Sequence, residues 1–430
     1  MTERLSWQRC DECGEEVDEL DASARCRACG GLLAVVHRAP EERGAALRAQ
    51  FADACCARPS PSASGVWRFG SIVLPTAVDC AVTHPEGNTP LLERPALTAW
   101  AGVDALQFKH EGHNPTGSFK DRGMTVGVTQ AKRIGARAVA CASTGNTSAS
   151  LASYAAQAGI PGLVFIPEGQ VALGKLMQTL AYGARTLLVD GDFDACLKLV
   201  QASAEELGVY LVNSINPFRL EGQKTILLEL LQQRGWESPD WVVLPAGNLG
   251  NTAAFGKALD EAMAWGLITR RPRIAAVQAA GAAPFAAAFE RGFDRLETVE
   301  AHTIATAIKI GAPASYGRAV RTIRHSEGCV ISVTDEEILG AKAQIDRAGV
   351  GCEPASAASL AGVRVLRARG VIGAGESVVA VLTGHILKDP GILQRMHQDG
   401  PPPAEWANPP ISIAPTLDAV RAVLDRAKAD

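Results

Sequence analysis

Residues 241–251 read Trp-Val-Val-Leu-Pro-Ala-Gly-Asn-Leu-Gly-Asn, an apolar run that ends in the turn Gly247, Asn248, Leu249, Gly250, Asn251. The run has the length and apolar continuity of a strand buried on both faces, and the NTAAFGKALDEAMA that follows carries a helical period. A glycine-rich turn between such a strand and helix gathers backbone N–H groups and a helix N-terminus at one point, which suits a phosphate. It lacks the Gly-Lys-Ser/Thr ending of a Walker A loop and is not GxGxxG, so nucleotide binding is disfavoured. A plain tight turn is the competing reading.

The same grammar repeats outward. From about Asp104, short apolar segments alternate with longer Ala/Leu-rich ones, the pattern of βα units building a parallel sheet. Strands are expected at 137–143, 162–167, 185–190, 209–214, 241–247, 273–279 and 377–384, with helices such as TSASLASYAAQAG and FDACLKLVQASAEELG between them. Two further strands end in polar turns, CASTGNTSAS and VLTGHILKDP. Ligands of open α/β sheets bind at the carboxyl ends of strands, so the three turns are expected to meet in one crevice. Upstream, ARPSPSASG at 57–65 reads as an exposed connection, and TLDAVRAVLDRAKA near the end as an amphipathic helix.

The chain has 430 residues, 47% hydrophobic and 20% charged, enough for a large core and two or three domains. A net charge of −4 supplies no basic field for a polyanion, which argues against nucleic acid as a partner. No run approaches the roughly 18 apolar residues of a membrane span, and the N-terminus carries charges where a signal peptide is apolar. A cytoplasmic location is expected.

Of 11 cysteines, Cys10, Cys13, Cys26 and Cys29 form CDEC and CRAC, with twelve residues between the pairs and a glycine after each second cysteine. This is zinc-ribbon spacing, and four thiolates leave no open coordination position, so the metal would be structural. Iron also fits four cysteines, and free or redox-active thiols are the remaining alternative. The acidic flank EEVDELD would repel nucleic-acid phosphates.

The segment NPTGSFKDRG, 114–123, presents Lys120 after a cluster of turn formers and before an Ala/Val-rich stretch. A lysine in an apolar site loses basicity and becomes competent to form an imine and shuttle protons, although most lysines are only solvated charges. A phosphate cradle in the same fold favours the first reading, since an aldehyde cofactor with a phosphate handle needs both.

These runs, with STGNTSAS, NSINPFRLEGQKT, ATAIKIGAPAS, CEPASAASLAG and LTGHILKDP, resemble the threonine synthase branch of the fold type II pyridoxal-phosphate enzymes, in family order over about 110–390, and EGNTPLL at 86–92 extends the match upstream. The resemblance implies an α/β fold of two open sheets, tryptophan synthase β-like, plus the N-terminal ribbon. It implies a zinc ribbon at 1–36, an extension and first part of the larger domain at 37–113, a smaller α/β domain at 114–215, and the larger cofactor-binding domain at 216–430. Lys120 would carry pyridoxal 5'-phosphate and move the protons. Gly247, Asn248, Leu249, Gly250 and Asn251 would hold its phosphate, Asn146 its phenolic oxygen, and Thr383 its ring nitrogen, with a neutral hydroxyl that cannot keep that nitrogen protonated as a carboxylate would.

The substrate carboxylate would lie on Ser143, Thr144 and Thr147, residues that equally suit an ordinary helix N-cap. The substrate's own phosphate would go to Asn213, Ser214 and Arg219, helped by Lys120 and Thr147. Read without the family, Arg219 is equally a surface ion-pair partner. The implied reaction turns O-phosphohomoserine and water into threonine and phosphate: Lys120 removes an α-proton and then a β-proton, phosphate leaves Cγ, and water adds at Cβ. A homodimer is implied as well. A threonine or serine dehydratase or a cysteate synthase would share Lys120 without needing a γ-phosphate site, and a non-catalytic ligand-sensing relative would need no intact Lys120. Two positions depart from the family, Ile386 where glycine is common and Gln170 where lysine is frequent.

Overall fold

In a computed structural model, residues 4–56, 60–168, 173–191, 193–398 and 406–426 are described. The N-terminal strands β1 (Ser6–Cys10), β2 (Glu16–Val17) and β3 (Leu33–His37) form an antiparallel sheet in the order β2-β1-β3. Cys10 closes β1, Cys13 lies in the turn after it, and Cys26 and Cys29 precede β3.

The later strands are β4 (Leu91–Glu93), β5 (Ala105–His110), β6 (Ala138–Ala142), β7 (Gly162–Pro167), β8 (Arg185–Val189), β9 (Val209–Leu211), β10 (Trp241–Pro245), β11 (Arg273–Ala279), β12 (Cys329–Val333) and β13 (Ser377–Leu382). They build two open sheets, β12-β11-β10-β13-β5-β4 and β8-β7-β6-β9. Every pairing in them is parallel except β4 with β5. All five residues of β10 are buried, as a central parallel strand covered on both faces requires.

Strands β4, β5 and β12 were not expected from sequence. Strand β5, ALQFKH, ends in two polar residues, yet Lys109 and His110 are fully buried. Their burial is affordable only through partners far away in sequence, so a hydrophobicity pattern does not register the strand. The expectation of an exposed connection at 57–65 also fails over its described part: Pro61–Ala63 is a 3-10 turn and Ala63, Ser64 and Gly65 are buried. Ser64 Oγ accepts from the amides of Val66 and Trp67, which turns the chain into a core holding Trp67, Phe69 and Phe51.

One helix crossing places the site. Helix Lys120–Arg133 packs on helix Pro217–Gln233, and a Cβ on Gly222 would fall 1.7 Å from the Arg122 carbonyl oxygen, while one on Gly123 would fall 2.9 Å from that of Arg219. Two glycines thus let the backbones touch, and Arg219 is carried against the helix that starts with Lys120. Residues 389–430 form a separate compact unit, whose helix Leu417–Arg426 turns Leu417, Val420 and Leu424 to solvent. No helix among the described residues is long and apolar enough to cross a membrane.

Candidate active site

Lys120 opens its helix directly after a loop that is stitched to the end of β13. Phe119 N donates to Thr383 O at 3.0 Å, His385 N donates to Gly117 O at 2.8 Å, and Ser118 pairs with Gly384 in an antiparallel bridge. Lysine and β13 terminus are therefore fixed to each other through backbone. Lys120 Nζ lies 4.0 Å from the centre of the Phe119 ring and makes no hydrogen bond or ion pair with a described residue. Burial, with the Arg219 charge adding to it, brings its pKa down to about 7, although Glu353 pulls the other way. At neutral pH a large share of this amine is unprotonated, the form that acts as nucleophile and base.

Arg219 is 1% exposed. One guanidinium nitrogen donates to Val212 O at 3.1 Å, whereas Nε is buried without a partner and no carboxylate pairs with the group among the described residues. Burial brings its pKa down to about 10; the ionisable group beside it, the Cys141 thiol, is pushed up by burial to about 12 and stays neutral. A buried guanidinium without a counter-ion is costly, and an anionic ligand is what would offset that cost.

The turn after β10 gathers a second set of unpaired donors. Leu249 has φ 64°, the left-handed conformation that swings the chain into helix Gly250–Ala264. The amides of Gly247, Asn248, Leu249, Gly250 and Asn251 donate to no described residue. Asn251 Nδ2 and Thr252 Oγ1 are likewise buried without partners in the first helical turn. Unpaired buried donors each cost about 1–3 kcal/mol, and a phosphate would satisfy several at once. Asn248 ties this turn to its neighbours, donating from Nδ2 to Ser214 Oγ and accepting at Oδ1 from Ala314 N at 2.6 Å.

At the other strand ends, Asn213 Oδ1 accepts from Ala142 N at 3.1 Å, which ties the end of β6 to the segment after β9. Ser143 Oγ accepts from Gly145 N at 3.3 Å, and the half-buried Thr144 and Thr147 flank the N-terminus of helix Asn146–Ala158. Asn146 Nδ2 donates to Glu353 Oε2 at 2.9 Å, and Thr383 Oγ1 donates to Glu353 Oε1 at 3.3 Å. A basic amine, a buried guanidinium and a ring of free amides thus lie at the carboxyl ends of the two parallel sheets.

The family profile described as "Pyridoxal-phosphate dependent enzyme" matches residues 82–384. Threonine synthase of Methanosarcina acetivorans is 43% identical over 98% of this chain and 99% of its own. That of Synechocystis is 48% identical over 72% of this chain and 79% of its own. The chain belongs to the threonine synthase family. The fold agrees: the crystal structure of threonine synthase from Escherichia coli superposes with a TM-score of 0.69 at 20% identity, covering 98% of this chain and 100% of that one. Maize serine racemase has the same fold at a TM-score of 0.62 and 22% identity, over 77% of this chain and 95% of that one.

For a threonine synthase family member, the donor set fits the family's cofactor: one unpaired lysine, five free amides on a strand-to-helix turn, and a hydroxyl at a strand end. The departure at Ile386 has a local accommodation, since Ile386 packs where Gly351, at φ +70°, leaves room; a Cβ there would lie 3.2 Å from Ile386 Cβ. Gln170 lies outside the described residues. Sequence reasoning did not single out Glu353, Ser356 or Lys388, though all three stand inside the quoted runs CEPASAASLAG and LTGHILKDP. Their signal was membership of a matched motif; their role depends on contacts 27 residues apart, such as Ser356 Oγ to Thr383 Oγ1 at 2.9 Å.

In the ribbon, the Sγ atoms of Cys10 and Cys29 are 3.5 Å apart, those of Cys13 and Cys26 3.6 Å, and all four lie within 4.8 Å of one another. Zinc bonds of ~2.3 Å in a tetrahedron need sulfurs ~3.8 Å apart, so the cluster is close to metal-binding size. The ribbon is seated on the body: His37 Nε2 contacts Glu221 at 2.7 Å, Arg318 donates to Leu33 O at 2.7 Å and pairs with Asp11, and Glu19 accepts from Thr76. His37, Glu221 and Glu261 could by position hold a metal, but Lys224 lies between them, 2.6 Å from Glu221 and 2.7 Å from Glu261, and fills the cation's place.

Proposed function

We propose that this chain converts O-phosphohomoserine and water to threonine and inorganic phosphate. The observation that carries the reading is Arg219, buried beside Lys120 without a counter-anion, which a substrate with a γ-phosphate would supply. Asn213 Nδ2, Ser214 and Thr147 complete that site in our reading. Ser143, Thr144 and the free amides of the Asn146 helix N-terminus take the substrate carboxylate.

Pyridoxal phosphate, when bound, supplies the electron sink that makes protons beside the substrate's amino carbon removable. Gly247, Asn248, Leu249, Gly250 and Asn251 hold its phosphate, with Asn146 and Thr383 at its ring and Lys120 as the covalent anchor. Lys120 takes the proton from Cα and then from Cβ; one base on a four-carbon stem can reach both, and a pKa near neutrality lets it accept and return protons. Arg219 binds the departing phosphate bidentately and holds the Cγ–O bond in place relative to Lys120. Water then adds at Cβ.

Purified protein mixed with O-phosphohomoserine should release phosphate and threonine in equal amounts. Phosphate with 2-oxobutyrate would instead identify a deaminating lyase. For the ribbon we propose one structural zinc on Cys10, Cys13, Cys26 and Cys29, which elemental analysis at about one zinc per chain checks. The homodimer is proposed on the family resemblance, and sedimentation tests it.

A further inference from the structure

Glu353 is a carboxylate that the reaction above does not use, and it is 4% exposed. Its two oxygens are shared between the groups assigned to two positions of the cofactor ring, its phenolic oxygen and its nitrogen. Oε2 accepts from Asn146 Nδ2 at 2.9 Å and Oε1 from Thr383 Oγ1 at 3.3 Å. Its backbone is pinned as well, since Glu353 N donates to Gly384 O at 3.1 Å and Gly384 N donates to Ser356 Oγ at 2.9 Å. A Cβ on Gly384 would fall 2.4 Å from the Glu353 carboxyl carbon, so the glycine after Thr383 makes the space the carboxylate occupies.

Resting on the cofactor assignment above, we propose that Glu353 is a positioning residue which, through the Thr383 hydroxyl, decides whether the cofactor's ring nitrogen carries a proton. A hydroxyl has one hydrogen. When Glu353 is a carboxylate, Thr383 donates to it and can only accept from the ring nitrogen, which must then bear the proton. When Glu353 is the acid, it donates to Thr383 and the threonine hydrogen turns to an unprotonated nitrogen. The two arrangements hold the same single proton, so titration does not interconvert them; at higher pH that proton leaves the relay for solvent, and the carboxylate and the bare ring nitrogen then compete for the one threonine hydrogen. Asn146 has two amide hydrogens; Glu353 takes one and leaves the other aimed by the same contact for the phenolic oxygen.

The surroundings allow both states. Burial pushes the Glu353 carboxyl up, while Asn146, the cations Lys388 and Lys120, and Thr383 pull it down. The other neighbours are the Cys352 thiol, pushed well up by burial and therefore neutral, Ser356, which shares Thr383, and His385 in the turn after Gly384. This amends the sequence-level reading of Thr383 as a lone neutral hydroxyl, because a carboxylate stands directly behind it.

The test is made on purified holoenzyme, following the absorption and fluorescence of the bound cofactor against pH, with cofactor Kd measured in parallel. Wild type should show a one-proton transition. Glu353→Gln should abolish the transition, keep the borohydride-trappable bond to Lys120, and weaken cofactor binding about tenfold, the worth of one charge-assisted hydrogen bond. Ser356→Ala, which leaves Glu353 intact should the glutamine variant misfold, should move the transition down by roughly half a pH unit, since Thr383 then donates to the carboxylate alone. A wild-type spectrum without a transition, or a transition unchanged in either variant, overturns the proposal. Wild-type protein that takes up no pyridoxal phosphate overturns both this and the cofactor reading.

Discussion

Lys120 and Arg122 stand two residues apart on one helix and meet opposite fates. Arg122 is fully buried and fully partnered, donating to Glu111 at 2.7 Å and to Glu229 at 2.8 Å. Glu229 also holds Lys109 at 2.6 Å and Arg68 at 2.8 Å and accepts from the amides of Asn88 and Thr89. Burial alone would raise the Glu229 carboxyl, yet Arg122, Lys109 and Arg68 hold it far below the usual carboxylate range. Lys120 has none of this. The partner helix repeats the contrast, with Glu229 and Lys224 saturated and Arg219 without a counter-ion. Buried charge alone does not mark a site; buried charge left unpaired does.

The contrast breaks first at Lys120. Lys120→Ala should lower turnover about 10^4-fold or more and abolish covalent cofactor attachment, because base and anchor vanish together; borohydride trapping and steady-state kinetics decide it. If charge pairing elsewhere is purely structural, Glu229→Ala should cost about 3–5 kcal/mol of stability by leaving Arg122, Lys109 and Arg68 without their shared anion, as urea unfolding would register. Unchanged stability there would erase the distinction between the two regions.

Arg219→Ala sharpens the substrate half of the comparison. Its cost should be about 2–4 kcal/mol in kcat/KM for O-phosphohomoserine, divided between turnover and apparent affinity, with cofactor attachment intact. Arg219→Lys should restore only part, since a point charge cannot reproduce a bidentate fork. An unchanged kcat/KM would favour an unphosphorylated substrate.

The smallest effect is a gain. In cofactor-free protein, Lys120→Met should raise the thermal midpoint by about 1–2 °C near pH 6, because a half-buried cation without an ion-pair partner is gone. The sign with pH follows from a pKa brought down from 10.5 to about 7. Below pH 7 the lysine is charged in both folded and unfolded chains and its burial cost is full. Between 7 and 10.5 the folded state sheds the proton first, wild-type stability rises, and the advantage of methionine shrinks.

Much of the architecture was legible because parallel strands are continuous apolar runs and their turns carry glycine. Strand β11 lies at the expected 273–279, and helix Phe193–Leu207 falls on the segment expected to be helical. What escaped was polar: β5 hides behind Lys109 and His110, and EGNTPLL was read only as an upstream extension of the family resemblance. In the structure that motif feeds the Glu229 network. Gly87 N donates to Asn114 Oδ1 at 2.9 Å, and Asn114 in turn donates to Glu111. Asn114 and Arg122, inside NPTGSFKDRG, serve the buried network, while Lys120 between them has no hydrogen bond or ion pair with a described residue.

The sequence by itself determined the alternation of strands and helices, the cysteine spacing, and which residue types could hold a phosphate or form an imine, because each is a property of a few neighbouring residues. Only the tertiary structure decided which cations found anions. That outcome turns on two glycines that let helices cross, and on Glu111, Glu229 and Glu353 arriving from distant segments at atomic distances. Pairing energy in a low-dielectric interior depends on those distances, and no local pattern encodes them.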